Sequence, residues 1–519
     1  MLQVYCLAMK KIGLFFIILF AFTNMATGQV AERGSFIKDS LDIYMNRALT
    51  NWRIPGAAVC IVKDGKVVLM KAYGVKELGL PAKVDENTLF MIGSNTKAFT
   101  ATALAMLQDK KLLSLDDKVT KYIPEFKLDN KAAGEMAVIR DLLCHHIGFQ
   151  TFQGDFTFYN SDLTSRQIIE KMGHVKATYP FRTKWGYTNS AFMAAGAIIP
   201  RVTGKSWEAY LKDNIFAPLG MTNTLALTAD MPQSLNRTAA HTLVDGRLVA
   251  IPYGQLDNMA PAMSICSSVN DMSKWVLALL NNGKVGNRVV IPSAAIAATR
   301  EPQDIVKTIR HLNGETNVEL YGLGWFIQDY SGHRLIMHDG GVNGYVSSVT
   351  LVPQDNLGIV ILTNTDQNSL YEALRWEIMD SYFKLPYRNY SEAYLDQFKV
   401  AKNNEQLADK KLRDSVAMKR PTAFPLNAYT GKYTNDLYGN LTISIGGELD
   451  QLQLRFEHHP KMFATAQPLG GNRFYVTFSD PELGKAAMPF TFANGKLTGI
   501  RVKVADFIEY TSYDFKKVQ

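Results

Sequence analysis

Ser94 and Lys97 stand three residues apart in Ser94-Asn95-Thr96-Lys97, a spacing that sets both side chains on one face of a helix about one turn apart. A serine hydroxyl is a poor nucleophile until a base removes its proton, and a desolvated lysine can be that base. If Ser94 opens the helix, free N–H groups and the positive end of the dipole favour a neutral lysine and a developing negative charge. Such a pair supports attack on a carbonyl carbon with a covalent acyl intermediate. The spacing alone is not selective, because Ser35 to Lys38 and Ser381 to Lys384 fit the same template. What separates Ser94 is its setting. It follows the apolar stretch Leu89-Phe90-Met91-Ile92-Gly93, and Gly93 permits a tight entry into the helix.

Two later motifs supply partners for this pair. Tyr187-Thr188-Asn189 carries a tyrosine and an amide. A phenol becomes a useful base only beside a cation, which Lys97 could provide. His338-Asp339-Gly340-Gly341 carries an imidazole next to two small residues. Alone, Tyr187 would read as a core tyrosine and Asn189 as a turn or cap residue.

Together the motifs resemble a known family. Ser94 and Lys97 are similar to the Ser-x-x-Lys motif of serine β-lactamases and penicillin-binding proteins. Tyr187-Thr188-Asn189 resembles the Tyr-x-Asn element of the class C β-lactamase and D-alanyl-D-alanine carboxypeptidase branch. His338-Asp339-Gly340 resembles the His-x-Gly variant found in its esterase and D-aminopeptidase relatives in place of Lys-Thr-Gly. Leu142 to Gly148, Pro218-Leu219-Gly220-Met221, Ser267 to Met272 and Tyr321 to Trp325 are further ordered matches, and the likeness spans residues 35–385.

The resemblance implies an acyl-enzyme on Ser94, with Lys97 and Tyr187 as the proton-transfer pair. It implies that Asn189 bonds a substrate amide, and that the backbone N–H groups of Ser94 and Gly341 form the oxyanion hole beside Gly340. It also departs from many relatives, because His338 stands where they carry a lysine able to hold a substrate carboxylate. With an ordinary pKa near 6.5, a histidine there is mostly neutral at pH 7. An ester, amide or peptide without that carboxylate is therefore the expected substrate. A β-lactamase or D-alanyl-D-alanine carboxypeptidase is the alternative, and a non-turnover penicillin-binding sensor or envelope assembly protein is the reading from another class. With no class A deacylating glutamate recognisable, water activation falls to Tyr187 and Lys97.

The elements that must position these residues are legible in outline. Ile37, Leu41, Tyr44 and Leu49 recur near helical spacing until Pro55-Gly56. Ala57 to Val62 and Lys66 to Tyr73 then form a predicted hairpin around Asp64-Gly65. Helices are predicted from Ser94 to Lys110 and near Ile168, Trp207 and Trp275. Arg334 to Met337 and Tyr345 to Val352 read as strands separated by Gly340-Gly341, followed by a third from Leu357 to Leu362. The expected class is α+β: an antiparallel sheet whose two chain ends meet, flanked by helices and carrying a helical insertion. After a charged, helix-prone stretch, short runs at 441–445, 451–456, 474–478, 488–492 and 499–504 predict a small β-barrel or sandwich resembling a lipocalin. The boundaries read as a catalytic domain over 29–385, a helical linker over 386–424 and the β domain over 425–519.

Residues 1–28 read as a secretory signal. Lys10-Lys11 precede an apolar run from Ile12 to Phe22, and Ala26-Thr27-Gly28 offers small residues for cleavage. The run falls short of the about 20 residues needed to span a bilayer, so export to the periplasm or outside the cell is expected, with no membrane span once the leader is removed. Its loss would take two lysines and no acids from a chain of formal charge +8, leaving +6. It would also leave Cys60, Cys144 and Cys266, an odd number unsuited to a disulfide framework.

The rest of the composition excludes more than it names. At 47% hydrophobic and 20% charged over 519 residues, it is ordinary for a globular protein. No block of Lys and Arg marks a nucleic-acid tail, so the expected partner is a small-molecule or peptide substrate; the oligomeric state stays open. No cofactor or metal is expected. Cys144-His145-His146 lacks a usual ligand spacing and reads as a buried cysteine in a turn. His458-His459 reads as exposed. Trp325 and Tyr345 read either as pocket walls or as core.

Overall fold

The computed structural model describes residues 36–447 and 450–518; the predicted leader lies outside them, as does Ser35. Leu41, Met45, Ala48, Leu49 and Trp52 form the buried stripe of helix α1 (Leu41–Trp52). The predicted hairpin follows as β1 (Gly56–Lys63) and β2 (Lys66–Gly74). Asp64 and Gly65 have φ of 52° and 74°, the paired left-handed backbone that a two-residue hairpin turn requires.

Strand β1 shows how the sheet is built. Its side chains alternate between faces, so Ala57, Val59 and Ile61 enter one core while Ala58, Cys60 and Val62 enter the other. The remaining strands are β3 (Asp304–Arg310), β4 (Thr316–Tyr321), β5 (Phe326–Tyr330), β6 (His333–Val342), β7 (Tyr345–Val352) and β8 (Leu357–Thr363). They form one antiparallel sheet of eight strands in the order β2-β1-β8-β7-β6-β5-β4-β3. The two chain ends meet where Ala57 pairs with Thr363. α1 and α5 (Leu370–Phe383) cover one face; α2 (Thr96–Asp109), α3 (Asn189–Gly196) and α4 (Val269–Leu280) belong to the core on the other.

Two sequence expectations change here. Gly340-Gly341 does not separate strands: both lie inside β6, and the chain turns at Asn343-Gly344. The glycines serve close approach instead, since a Cβ on Gly340 would lie 2.0 Å from the Ile92 carbonyl oxygen. The sequence predicts no strand at β3, β4 or β5. β3 and β4 form the edge of the sheet; β3 fully buries no residue and β4 only Glu319 and Tyr321, which leaves little apolar pattern to read.

Helix α6 (Tyr390–Ala417) buries only Tyr390, Ser391 and Leu395 and leads to a closed barrel of eight antiparallel strands. These are β9 (Gly431–Asn435), β10 (Gly439–Ile445), β11 (Leu452–Phe456), β12 (Ala464–Gly470), β13 (Arg473–Phe478), β14 (Lys485–Ala493), β15 (Lys496–Val502) and β16 (Tyr513–Lys517). The α+β class with a C-terminal β-barrel therefore holds. Cys60, Cys144 and Cys266 are buried free thiols. Among the described residues, no helix is long and apolar enough to cross a membrane.

Candidate active site

Ser94 sits in the short 3-10 turn Gly93–Asn95 that feeds directly into α2. Gly93 has φ +53°, and a Cβ there would lie 3.1 Å from the Gly341 nitrogen. The turn is also pinned from the sheet: Ser347 Oγ donates to the Ile92 carbonyl at 2.7 Å, and Asn95 Nδ2 donates to Ser347 Oγ at 2.8 Å. These contacts hold the Ser94 turn against the Gly340-Gly341 backbone.

One turn along α2, Lys97 is completely buried. Its Nζ lies 3.0 Å from Ser94 Oγ, 2.7 Å from Asn189 Oδ1 and 2.9 Å from the Ala262 carbonyl. Burial pushes its pKa well below the ordinary lysine value, and the nearby Asp155 offsets part of that shift. The other two Ser-x-x-Lys matches lack this feature, since Lys38 and Lys384 are exposed. Tyr187 is buried with its ring centroid 4.7 Å from Lys97 Nζ. Burial raises its pKa, and a hydrogen bond with Ser94 opposes that rise.

Asn189 opens α3 and is engaged at both ends of its amide. Oδ1 accepts from Lys97, while Nδ2 donates to Asp155 Oδ2 at 2.6 Å. That leaves one N–H and one lone pair for a substrate. Asp155 was missed in the sequence, where only its place between Phe152 and Phe156 marks it. Its carboxyl is buried and its pKa is raised well above the usual range by that burial. The barrel reaches the same loop: buried Glu509 accepts from the Gly154 and Phe156 backbone N–H groups at 2.9 and 3.1 Å.

A second buried chain fixes His338. The Thr188 N–H donates to His145 Nδ1 at 3.0 Å, so the His145 proton sits on Nε2, which faces Tyr321 Oη at 3.2 Å. Tyr321 can then donate to His338 Nε2 at 3.3 Å, and His338 Nδ1–H to the Asp339 carbonyl at 2.6 Å. Burial pushes the His338 pKa down to about 3, so the ring is neutral at pH 7. His145 and Tyr321, read from the sequence only as parts of framing motifs, are thus the supports behind this histidine.

Ser94, Tyr187, Asn189, His338, Gly340 and Gly341 all line one cleft of about 420 Å³, with Lys97 beneath it. Among the described residues no Lys or Arg lines it, whereas Asp155, Asp339 and Asp366 do. Asp339 is paired with buried Arg375 at 2.8 Å. Trp325 and Tyr345 belong to the core; Trp185 and Phe326 form the wall instead. His459 corrects the sequence reading, for it is buried and stacked on Phe156 at 4.2 Å, where the barrel meets the catalytic domain. A larger cavity of about 590 Å³ bordered by α1, α5 and α6 shares no lining residue with this cleft. No three His, Cys, Asp or Glu side chains among the described residues are grouped to hold a metal.

Residues 41–382 match the Beta-lactamase family. The chain belongs to that family. Residues 417–517 match a second family described only as a domain of unknown function, DUF3471. The chain is 27% identical over 424 residues to an unguisins hydrolase of Aspergillus campestris, covering 77% of this chain and 76% of that protein. It is 28% identical over 371 residues to the Flp protein of Staphylococcus aureus, covering 70% and 71%. Its fold is similar to the octameric penicillin-binding protein homologue from Pyrococcus abyssi, with TM-score 0.58 and 20% identity over 92% of this chain and 99% of that one. This member of the Beta-lactamase family is a hydrolase with the serine β-lactamase fold.

Proposed function

We propose that this protein hydrolyses an ester, amide or peptide bond through an acyl-enzyme on Ser94, with neutral Lys97 as the base. The observation that carries this reading is the surroundings of Lys97 Nζ. A neutral amine has two N–H groups and one lone pair. The Asn189 and Ala262 oxygens accept the two N–H groups, which leaves the lone pair facing Ser94 Oγ at 3.0 Å. Burial favours that uncharged form.

In acylation Ser94 Oγ bonds to the substrate carbonyl carbon as its proton passes to Lys97. The N–H groups of Ser94 and Gly341 take up the oxyanion charge. Tyr187 is a phenol here rather than a phenolate, because burial raises its pKa. It gives its proton to the departing oxygen or nitrogen as the carbonyl bond to that atom breaks, and Lys97 restores it. In deacylation water attacks the ester carbon, its proton leaves through the same pair, and Ser94 recovers its own.

Substrate charge follows from the walls. A carboxylate would enter a cleft lined, among the described residues, by no Lys or Arg and by a neutral His338, so uncharged or cationic substrates fit better. His338→Lys is expected to raise kcat/KM several-fold for carboxylate-bearing esters and not for neutral ones; equal values would show that His338 does not set the preference. The leader sequence further supports export. Replacing Ser94 with Ala should abolish both ester turnover and labelling by a fluorophosphonate. Labelling that survives the change would place the nucleophile elsewhere.

A further inference from the structure

We propose that the turn from Ala505 to Tyr510 of the barrel is a wall of the catalytic cleft, selecting substrates with an uncharged aromatic or bulky apolar group beside the scissile bond. The inference rests on the serine-hydrolase reading above. The turn joins β15 to β16 and sets two exposed rings on either side of a buried pair. Ile508 and Glu509 are buried, whereas Phe507 and Tyr510 remain 46% and 48% exposed, and both exposed rings line the cleft that holds Ser94.

Their positions meet the reacting groups from two sides. A Cβ on Gly341 would lie 3.8 Å from Phe507 Cε2, so this ring lies beside the backbone assigned to the oxyanion hole. Tyr510 stacks on Phe152 with centroids 5.5 Å apart and planes at 22°. Phe152 in turn meets the Tyr187 ring edge-on at 5.7 Å. An aromatic side chain on the substrate would find offset and edge contacts with these rings, the geometry aromatic groups prefer.

The wall is held in place rather than left to order on binding. Glu509 grips the Gly154 and Phe156 backbone and accepts from the Tyr438 hydroxyl at 2.8 Å. Lys503 donates to both Asp506 and the Glu509 carbonyl. A pre-set wall spares the ordering cost that a mobile loop would add to substrate binding. The barrel is therefore a working part of the active site.

Two pairs of uncharged esters test this: phenylacetyl against acetyl with one leaving group, and benzyl against methyl esters of one acid. The wild type should favour the aromatic member of at least one pair. Phe507→Ala and Tyr510→Ala should each lower that preference about tenfold through kcat/KM, while Phe507→Leu and Tyr510→Phe keep most of it. Both positions are half-exposed, so melting curves should show folded variants. Absence of any aromatic preference in the wild type, or a preference that neither alanine variant changes, overturns the proposal. Ser94→Ala serves as the control: persistent turnover in it would instead sink the serine-hydrolase reading.

Discussion

Two buried polar clusters face the same cleft and are built on opposite terms. In one, a cation-forming group, Lys97, is hydrogen-bonded to Ser94 and Asn189, and Asn189 in turn to Asp155. In the other, Asp366 of the cleft lining and the barrel's Glu482 meet with no cation beside them among the described residues. Tyr159 donates to Glu482, Asn343 donates to Tyr159 at 2.6 Å, and Thr242 and the Gly344 N–H donate to Asp366. Burial raises the pKa of both carboxyls, and their mutual repulsion adds to that of Glu482. The first cluster can move a proton to or from a nucleophile. The second can only hold two surfaces together, and its signature is the pH dependence of stability.

The largest effect is expected at Lys97. Loss of a positioned base costs about 10²–10⁴-fold in rate, so Lys97→Ala should lower kcat by that much. Lys97→Arg should fall as far, because guanidinium cannot deprotonate in a protein. A rate retained in the arginine variant would mean that charge, not basicity, is what the site uses. For the wild type, kcat/KM should rise with pH through the lowered Lys97 pKa, well below the ordinary 10.5.

Asp155→Asn should have a smaller effect, about tenfold in kcat, which corresponds to ~1.4 kcal/mol. The asparagine can still accept from Asn189 but no longer favours a protonated Lys97. The acid limb of the pH profile should accordingly move to lower pH. A limb that stays in place would remove Asp155 from the proton-transfer account.

Glu482→Gln should leave kinetics nearly untouched and change stability only. A carboxyl whose folded pKa is raised stabilises the fold at pH below its ordinary value. That contribution is lost as pH rises through the folded pKa. Gln keeps the acceptor for Tyr159 and can donate to Asp366, so Tm should rise at pH 7.5 and not at pH 4, where Glu482 is already protonated. An unchanged Tm at both pH values would contradict the shared burial of the two acids.

The same contrast explains what could be read from sequence. Ser94, Lys97, Tyr187, Asn189 and His338 stand in short motifs whose order is informative, and the fold brings four of them to one cleft with Lys97 beneath it. The hairpin at Asp64-Gly65 was legible because two left-handed residues leave a chemical trace in residue type. Asp155, Glu509 and Phe507 were not legible. Their relation to Ser94 depends on how a loop and a distant barrel dock, and no local spacing records docking. Gly340-Gly341 misled for a related reason: small residues signal turns and close packing alike, and here packing against Ile92 is the cause. His459 looked exposed because its burial is supplied by Phe156, some 300 residues away in sequence.

The central claim is an acyl group carried on Ser94 and delivered with Lys97 as base. Its most direct test is to mix enzyme with an uncharged activated ester, quench in acid within the first turnover, and map the adduct by peptide mass spectrometry. The expected result is a single acyl adduct on Ser94 that accumulates far more slowly in Lys97→Ala. An adduct on another residue, or ester turnover by Ser94→Ala, would contradict the account.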